Sequence, residues 1–455
     1  MNRILLLVSL WLTVVVSASD RPNIIYILAD DLGYGDLGCY GQETLNTPAI
    51  DRMAGEGLRF TRHYSGSTVC APSRCVLMTG LHTGNCSVRG NGEAQLTETT
   101  VADILKENGY KTACIGKWGI GHPPPLDDPN QHGFDYFYGY VNMFHAHNFY
   151  PPFLVRNGEK VALNNVQMEA YRENPADKDG RGVAEIAVDY APELIGEEVF
   201  RFIRENKDDP FFLYYALNIP HANNEGGRHG RGMEVPSLGD FEDKSWPLAE
   251  KGFASMIKRI DDDVAHIFEL LSELEIAENT IVIFSSDNGP HQEGGHHADF
   301  FDSNGNKRGT KRALYEGGIR VPFIVHWPAQ IKRGRVVEDV TAFQDWMPTV
   351  CDLIGVEAPR NDGQSMLPLF NENQTTPANR TLYWEFGEQG GKQSVLQGDW
   401  KLVRLGLENP VYELYNVVTD PSEEIDQLKQ HPEKVATLKA LLRSIPDERS
   451  PFKDA

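Results

Sequence analysis

Apolar residues along the chain follow two spacings, and the two alternate. The run from Asn23 to Leu28 is short and almost continuously apolar, as in a strand buried on both faces. Thr47 to Gly57 carries helical spacing, with Thr47 as N-cap and Pro48 at the first helical position. Thr100 to Asn108 predicts a second helix, stopped by Gly109, and Lys111 to Ile115 a strand. Pro210 to Leu217 is a further buried strand, and Phe253 to Leu274 a long helix. Thr280 to Ser285 and Val321 to Trp327 are strands again. Interleaved helices and buried strands imply an α/β domain: a large, mostly parallel sheet sandwiched by helices.

Beyond about residue 370 the pattern changes. Thr381 to Phe386, Ser394 to Arg404 and Val411 to Val418 read as short strands joined by glycine-rich or polar turns, before a helix from Pro432 to Ile445. This predicts a small C-terminal antiparallel sheet with a helix. The expected division is a catalytic domain over 20–370 and a subdomain over 371–455.

The first residues hold a basic start at Arg3, an apolar run from Ile4 to Val16 and the small residues Ser17-Ala18-Ser19. That is the layout of a secretory signal peptide over 1–19, and the apolar run is too short for a bilayer span. The expectation is a secreted or periplasmic protein without a membrane anchor. The net charge of −22 argues against a nucleic-acid partner. Any anionic substrate then has to meet a few cations aimed into one pocket. Export permits disulfides among the six cysteines, but the sequence assigns no pair.

In parallel sheets ligands bind beyond the carboxyl ends of the strands. Asp30 and Asp31 follow the first predicted strand, Lys117 the Lys111 strand, His221 the Pro210 strand, and Asp287 with Asn288 the Thr280 strand. Strands far apart in sequence thus deliver ionisable or amide groups to one edge. Asp30, Asp31, Asp287 and Asn288 form an all-oxygen set suited to a hard divalent cation, and calcium tolerates such a set more readily than magnesium. A second group, His291 with His296 and His297, reads as a polar loop at the rim rather than a zinc site, which needs three or four placed ligands.

Cys70 heads the run Cys70-Ala71-Pro72-Ser73-Arg74, at the start of a predicted helix that would favour a bound anion. The pentapeptide fits Cys-x-Pro-Ser-Arg, and nearly the whole chain resembles the arylsulfatase-like family I sulfatases of the alkaline-phosphatase superfold. The resemblance implies that Cys70 becomes Cα-formylglycine through a formylglycine-generating or sulfatase-maturating enzyme. It implies one calcium ion on Asp30, Asp31, Asp287 and Asn288. It also implies catalytic roles for Arg74, Lys117, His221 and Lys311. Lys311 is carried over from Gly309 to Pro322, which resembles the family's lysine loop. One departure stands out: where many sulfatases read Gly-Lys-Trp-His, this chain has Gly119 in place of the histidine. His145 and His147, in the run Phe144 to Asn148, are the candidates to replace it and to bind substrate.

The expected activity is hydrolysis of a sulfate ester on a small molecule or carbohydrate. The loop Glu385 to Lys392 offers acid, amide and lysine groups to sugar hydroxyls. Two alternatives remain at this point. One is a phosphatase or phosphonate-ester hydrolase of the same superfold; the other is a non-catalytic binder of sulfated glycans.

Overall fold

The computed structural model describes residues 21–92, 94–121, 128–172, 180–370 and 379–453. The expected signal peptide and the expected boundary at 370/371 adjoin or fall on residues outside these. No helix among the described residues is long and apolar enough to cross a membrane.

The strand Asn23–Asp30 is buried at every position, and its residues alternate between two cores. Ile24, Tyr26 and Leu28 enter one; Ile25, Ile27 and Ala29 enter the other. This is the two-period rule of a strand read on both faces. The first core is closed by the helices Cys70–Thr79, Val101–Glu107 and Trp346–Ile354, the second by Pro48–Glu56, Ala191–Glu205 and Leu248–Glu273.

Around that strand lies a ten-stranded sheet. Its centre is parallel: Thr280–Ser286, Asn23–Asp30, Phe211–Pro220, Lys111–Lys117 and Tyr136–Tyr140 run side by side. The flanks turn antiparallel. Phe323–His326 pairs antiparallel with Thr280–Ser286 and with Leu58–Phe60, which Arg335–Val337 joins in parallel. Phe153–Arg156 and Glu159–Ala162 extend the opposite edge as a hairpin. The sheet is therefore mixed, with the expected parallel array at its heart.

The C-terminal part is an antiparallel meander of Thr381–Phe386, Lys392–Gln397, Trp400–Leu405 and Val411–Asn416. The single strand read over Ser394 to Arg404 is corrected to two. Gly398, with φ of 59°, and Asp399 form a two-residue turn that pairs Gln397 with Trp400. One face of this sheet, with Leu382, Trp384 and Leu396, packs on Tyr64, Leu314 and Ile319 of the large domain. The other face holds Leu438 and Leu442 of the helix Pro432–Ser444.

Candidate active site

The predicted strand ends converge. Asp30 closes its strand, and Asp31 follows in the left-handed region, with φ of 64°. A non-glycine residue there is strained and needs support. The support is local: the Asp31 amide donates to Asp287 Oδ1 at 3.0 Å, and Asn288 Nδ2 donates to Asp31 Oδ1 at 2.7 Å. All four residues are fully buried.

Three cations face these carboxylates. Lys117 Nζ lies 2.7 Å from Asp30 Oδ2, and Lys311 Nζ 2.7 Å from Asp31 Oδ2. The Arg74 guanidinium reaches Asp287 Oδ2 at 2.8 Å and donates to the Lys117 carbonyl at 2.7 Å. Three formal negative charges thus meet three positive ones with almost no water access, which is how such groups survive burial. Burial alone would raise the Asp30 carboxyl; the charges of Lys117, Arg74 and Lys311 outweigh it and hold it well below the carboxylate range. Burial, then Asp30, pushes Asp287 upward against the opposing Arg74.

Asp30 Oδ1 and Asn288 Oδ1 are buried acceptors that take no hydrogen bond. Arg74 stands 3.6 Å from Asp30 Oδ1, beyond hydrogen-bond reach, and buried oxygens without a hydrogen bond call for a partner. Together with Asp31 and Asp287 they make a hard, all-oxygen donor set, so these residues fit a divalent cation such as calcium. Among the described residues, Asp30, Asp31 and His221 bring their ligand atoms within 4.8 Å of one another.

Cys70 is the first residue of its helix and is 3% exposed. Burial pushes its thiol up, away from the reactive thiolate, although Lys117 pulls the other way. All six cysteines are unpaired. Asn91, which sequence reasoning missed, places its Oδ1 3.7 Å from Cys70 Sγ and 3.2 Å from the Ala71 amide nitrogen. Its signal was weak: one amide between two glycines, outside any strand or helix.

His221 sits where its strand end aims it. Nδ1 donates to the Ala222 carbonyl at 2.7 Å, and Nε2 lies 2.9 Å from Lys311 Nζ. Burial and Lys311 push the ring well below the ordinary histidine value, so it is neutral. For Lys311, burial opposes the charge, but Asp31 and Glu293 outweigh it and raise the ammonium above its ordinary value. Glu293, also missed, pairs with Arg312 at 2.6 Å and with Lys311 at 3.5 Å. The ring of His147 stacks on His221 at 4.8 Å, and its Nδ1 is held by Glu225 at 3.2 Å.

His145 does not join this cluster, contrary to expectation. Its ring packs on Tyr140 and Phe153 at 4.9 and 4.6 Å, because its place in the short turn His145–His147 faces the aromatic core. Gly119 adopts a φ of 63°, which favours glycine, and a Cβ there would stand 3.0 Å from Lys117 Cε. The His291 loop is structural. His291 Nε2 donates to the Pro220 carbonyl and Nδ1 accepts from the Glu293 amide, while His296 pairs with Glu250 at 2.6 Å and stacks on Phe253. The Glu385–Lys392 loop divides: Glu385 is buried against Arg89, whereas Glu388 reaches the Asn91 amide and Lys392 the Arg312 carbonyl.

The chain matches the family described as Sulfatase over residues 22–356, and the one described as N-sulphoglucosamine sulphohydrolase, C-terminal, over 307–450. It is 31% identical to the N-acetylgalactosamine-6-O-sulfatase of Bacteroides thetaiotaomicron, across 94% of this chain and 93% of that one. It is 32% identical to the N-acetylgalactosamine-6-sulfatase of Homo sapiens, across 77% of this chain and 66% of that one. The solved structure of Ps i-CgsB in complex with k-i-k-neocarrahexaose matches with a TM-score of 0.77 at 25% identity, covering 95% and 94% of the two chains.

Proposed function

From the premise that this chain belongs to the sulfatase family and is a sulfuric ester hydrolase, we propose that it removes sulfate from a sulfated carbohydrate. In this reading the nucleophile is Cα-formylglycine made from Cys70 by a maturating enzyme, one calcium ion assists it, and the site lies outside the cytoplasm. The observation that carries the proposal is the placement of Cys70. It stands at a helix N-terminus, 3% exposed, beside the balanced set of Asp30, Asp31, Asp287, Arg74, Lys117 and Lys311. The carbohydrate is supported by the names of two relatives, both N-acetylgalactosamine 6-sulfatases.

A cysteine turns over a sulfate ester poorly, since its adduct has no simple release path. The hydrated aldehyde supplies one hydroxyl to attack sulfur and a second whose collapse to aldehyde frees sulfate. A divalent cation would be held by Asp30, Asp31, Asp287 and Asn288, and would supply polarisation of the sulfate and of the nucleophile. The rest falls to the chain's own side chains. Arg74 fixes Asp287 and the Lys117 carbonyl, so two elements keep their places when the substrate enters. Lys117 and Lys311 face the anion in a site almost free of water, where fixed charges act most strongly on developing charge. The leaving oxygen takes its proton from Lys311 Nζ. His221 is neutral, and its Nε2 accepts from Lys311 and so aims that ammonium. His147, stacked on His221 and held by Glu225, is the neighbouring side chain offered to the sugar in this reading.

Two measurements test this. Peptide mass spectrometry of the exported protein should show the cysteine-to-aldehyde mass loss at residue 70. Cys70→Ala should abolish release of sulfate from N-acetylgalactosamine 6-sulfate while leaving thermal unfolding nearly unchanged. A Cys70→Ala protein that keeps a substantial fraction of the rate overturns the nucleophile.

A further inference from the structure

Among the hydrogen bonds of the Cys70 side chain, the one resolved goes to Asn91. Its Oδ1 lies 3.7 Å from Cys70 Sγ and also accepts the Ala71 N–H at 3.2 Å. That second contact settles the orientation of the carboxamide. A backbone N–H donates only to the oxygen, so the oxygen and not the amino group faces residue 70. The backbone of Asn91 is held in turn: its N–H donates to Glu388 Oε1 at 2.8 Å, across from the C-terminal sheet. At Gly90 a Cβ would stand 3.1 Å from the same Oε1, so the approach of the two loops is close.

We propose that Asn91 is a positioning residue for the nucleophile, and that Glu388 of the C-terminal hairpin holds it there. This rests on the sulfatase reading above. The substituents on Cβ of a hydrated formylglycine occupy the region of Cys70 Sγ. A neutral carboxamide oxygen there accepts a hydrogen bond from the hydroxyl and fixes the direction of the oxygen lone pair, without taking the proton. An unpositioned hydroxyl samples rotamers that do not point at sulfur, which is the loss that orientation prevents. The C-terminal subdomain thereby reaches the reaction centre through one hydrogen-bonded link.

The test uses the full-length enzyme and two readouts. In matured enzyme, Asn91→Ala should lower kcat for a sulfate ester by about tenfold or more, with KM little changed and aldehyde content at residue 70 equal to wild type. In enzyme expressed without maturation, the rate of Cys70 alkylation by iodoacetamide should rise several-fold in the same variant. Glu388→Ala, at an exposed position that does not threaten folding, should move both readouts in the same direction by less. Glu388→Gln, which still accepts the Asn91 N–H, should restore them. Unchanged alkylation and kcat in Asn91→Ala, or a loss confined to KM, overturns the proposal. Absence of aldehyde and of sulfatase activity in the wild type overturns the sulfatase reading instead, and the alkylation rates still decide whether Asn91 governs residue 70.

Discussion

Lys311 is held by a carboxylate on one side and an imidazole on the other, at 2.7 Å from Asp31 and 2.9 Å from His221. Only one of these two nitrogen groups carries a mobile proton, since His221 Nδ1 spends its hydrogen on the Ala222 carbonyl. The leaving group should report the difference. Lys311→Ala should lower kcat/KM for a sugar sulfate by roughly two to four powers of ten, and far less for nitrophenyl sulfate, whose phenolate departs with little protonation. His221→Ala should reduce both substrates by similar factors, because it shapes the position of Lys311. Ratios of mutant to wild-type kcat/KM on the two esters measure this, and a selective loss in His221→Ala would return the acid role to the histidine. Residues at strand ends were legible from sequence because a strand fixes where its last side chain goes. Asn91, Glu225 and Glu293 were not legible, because Asn91 and Glu293 come from loops and Glu225 from the one-turn helix Asn224–Gly227, too short for any periodicity to encode.

At the scale of elements, the small C-terminal sheet is pinned to the large domain by charge as well as by Trp384 and Leu396. Lys401, fully buried, bridges Glu316 at 2.9 Å and Glu423 at 2.8 Å. Removing one partner from such a group leaves uncompensated buried charge. Lys401→Met should therefore destabilise the protein by about 3–5 kcal/mol, read from thermal or denaturant unfolding. Burial pushes the Glu423 carboxyl above its ordinary range, against the pull of Lys401. Over that interval the folded chain keeps a proton that the unfolded chain releases, so this group's contribution to stability falls as pH rises. Loss of Lys401 widens the interval, and the destabilisation should be larger at pH 8 than at pH 5. The buried strands of the parallel centre were readable as continuous apolar runs. The edge strand Glu159–Ala162 was not, since its residues are polar or partly exposed and it pairs on one side only, with Phe153–Arg156. The two-residue turn at Gly398 was hidden because the strands on both sides continue the same apolar texture.

Taken whole, the molecule carries a net charge of −22, yet three of its cations are sealed inside one site. The acidic exterior and the oxygen-rich centre both favour a cation over an anion until the cation is in place. Chelation should therefore abolish turnover, and calcium should restore it better than zinc; stoichiometric zinc in active protein by elemental analysis would exclude the all-oxygen assignment. The site also has a length written along the chain. Asp31 meets Asp287, Asn288 and Lys311 across separations of 256, 257 and 280 residues. The ribosome delivers about 5–20 residues per second, so Cys70 emerges tens of seconds before the strand Thr280–Ser286 that helps to bury it. During that delay residue 70 is open peptide, and after closure it is 3% exposed. On the proposed reading, maturation at Cys70 would be a race against completion of the sheet, and whatever hastens folding would shorten the time in which the enzyme can be armed.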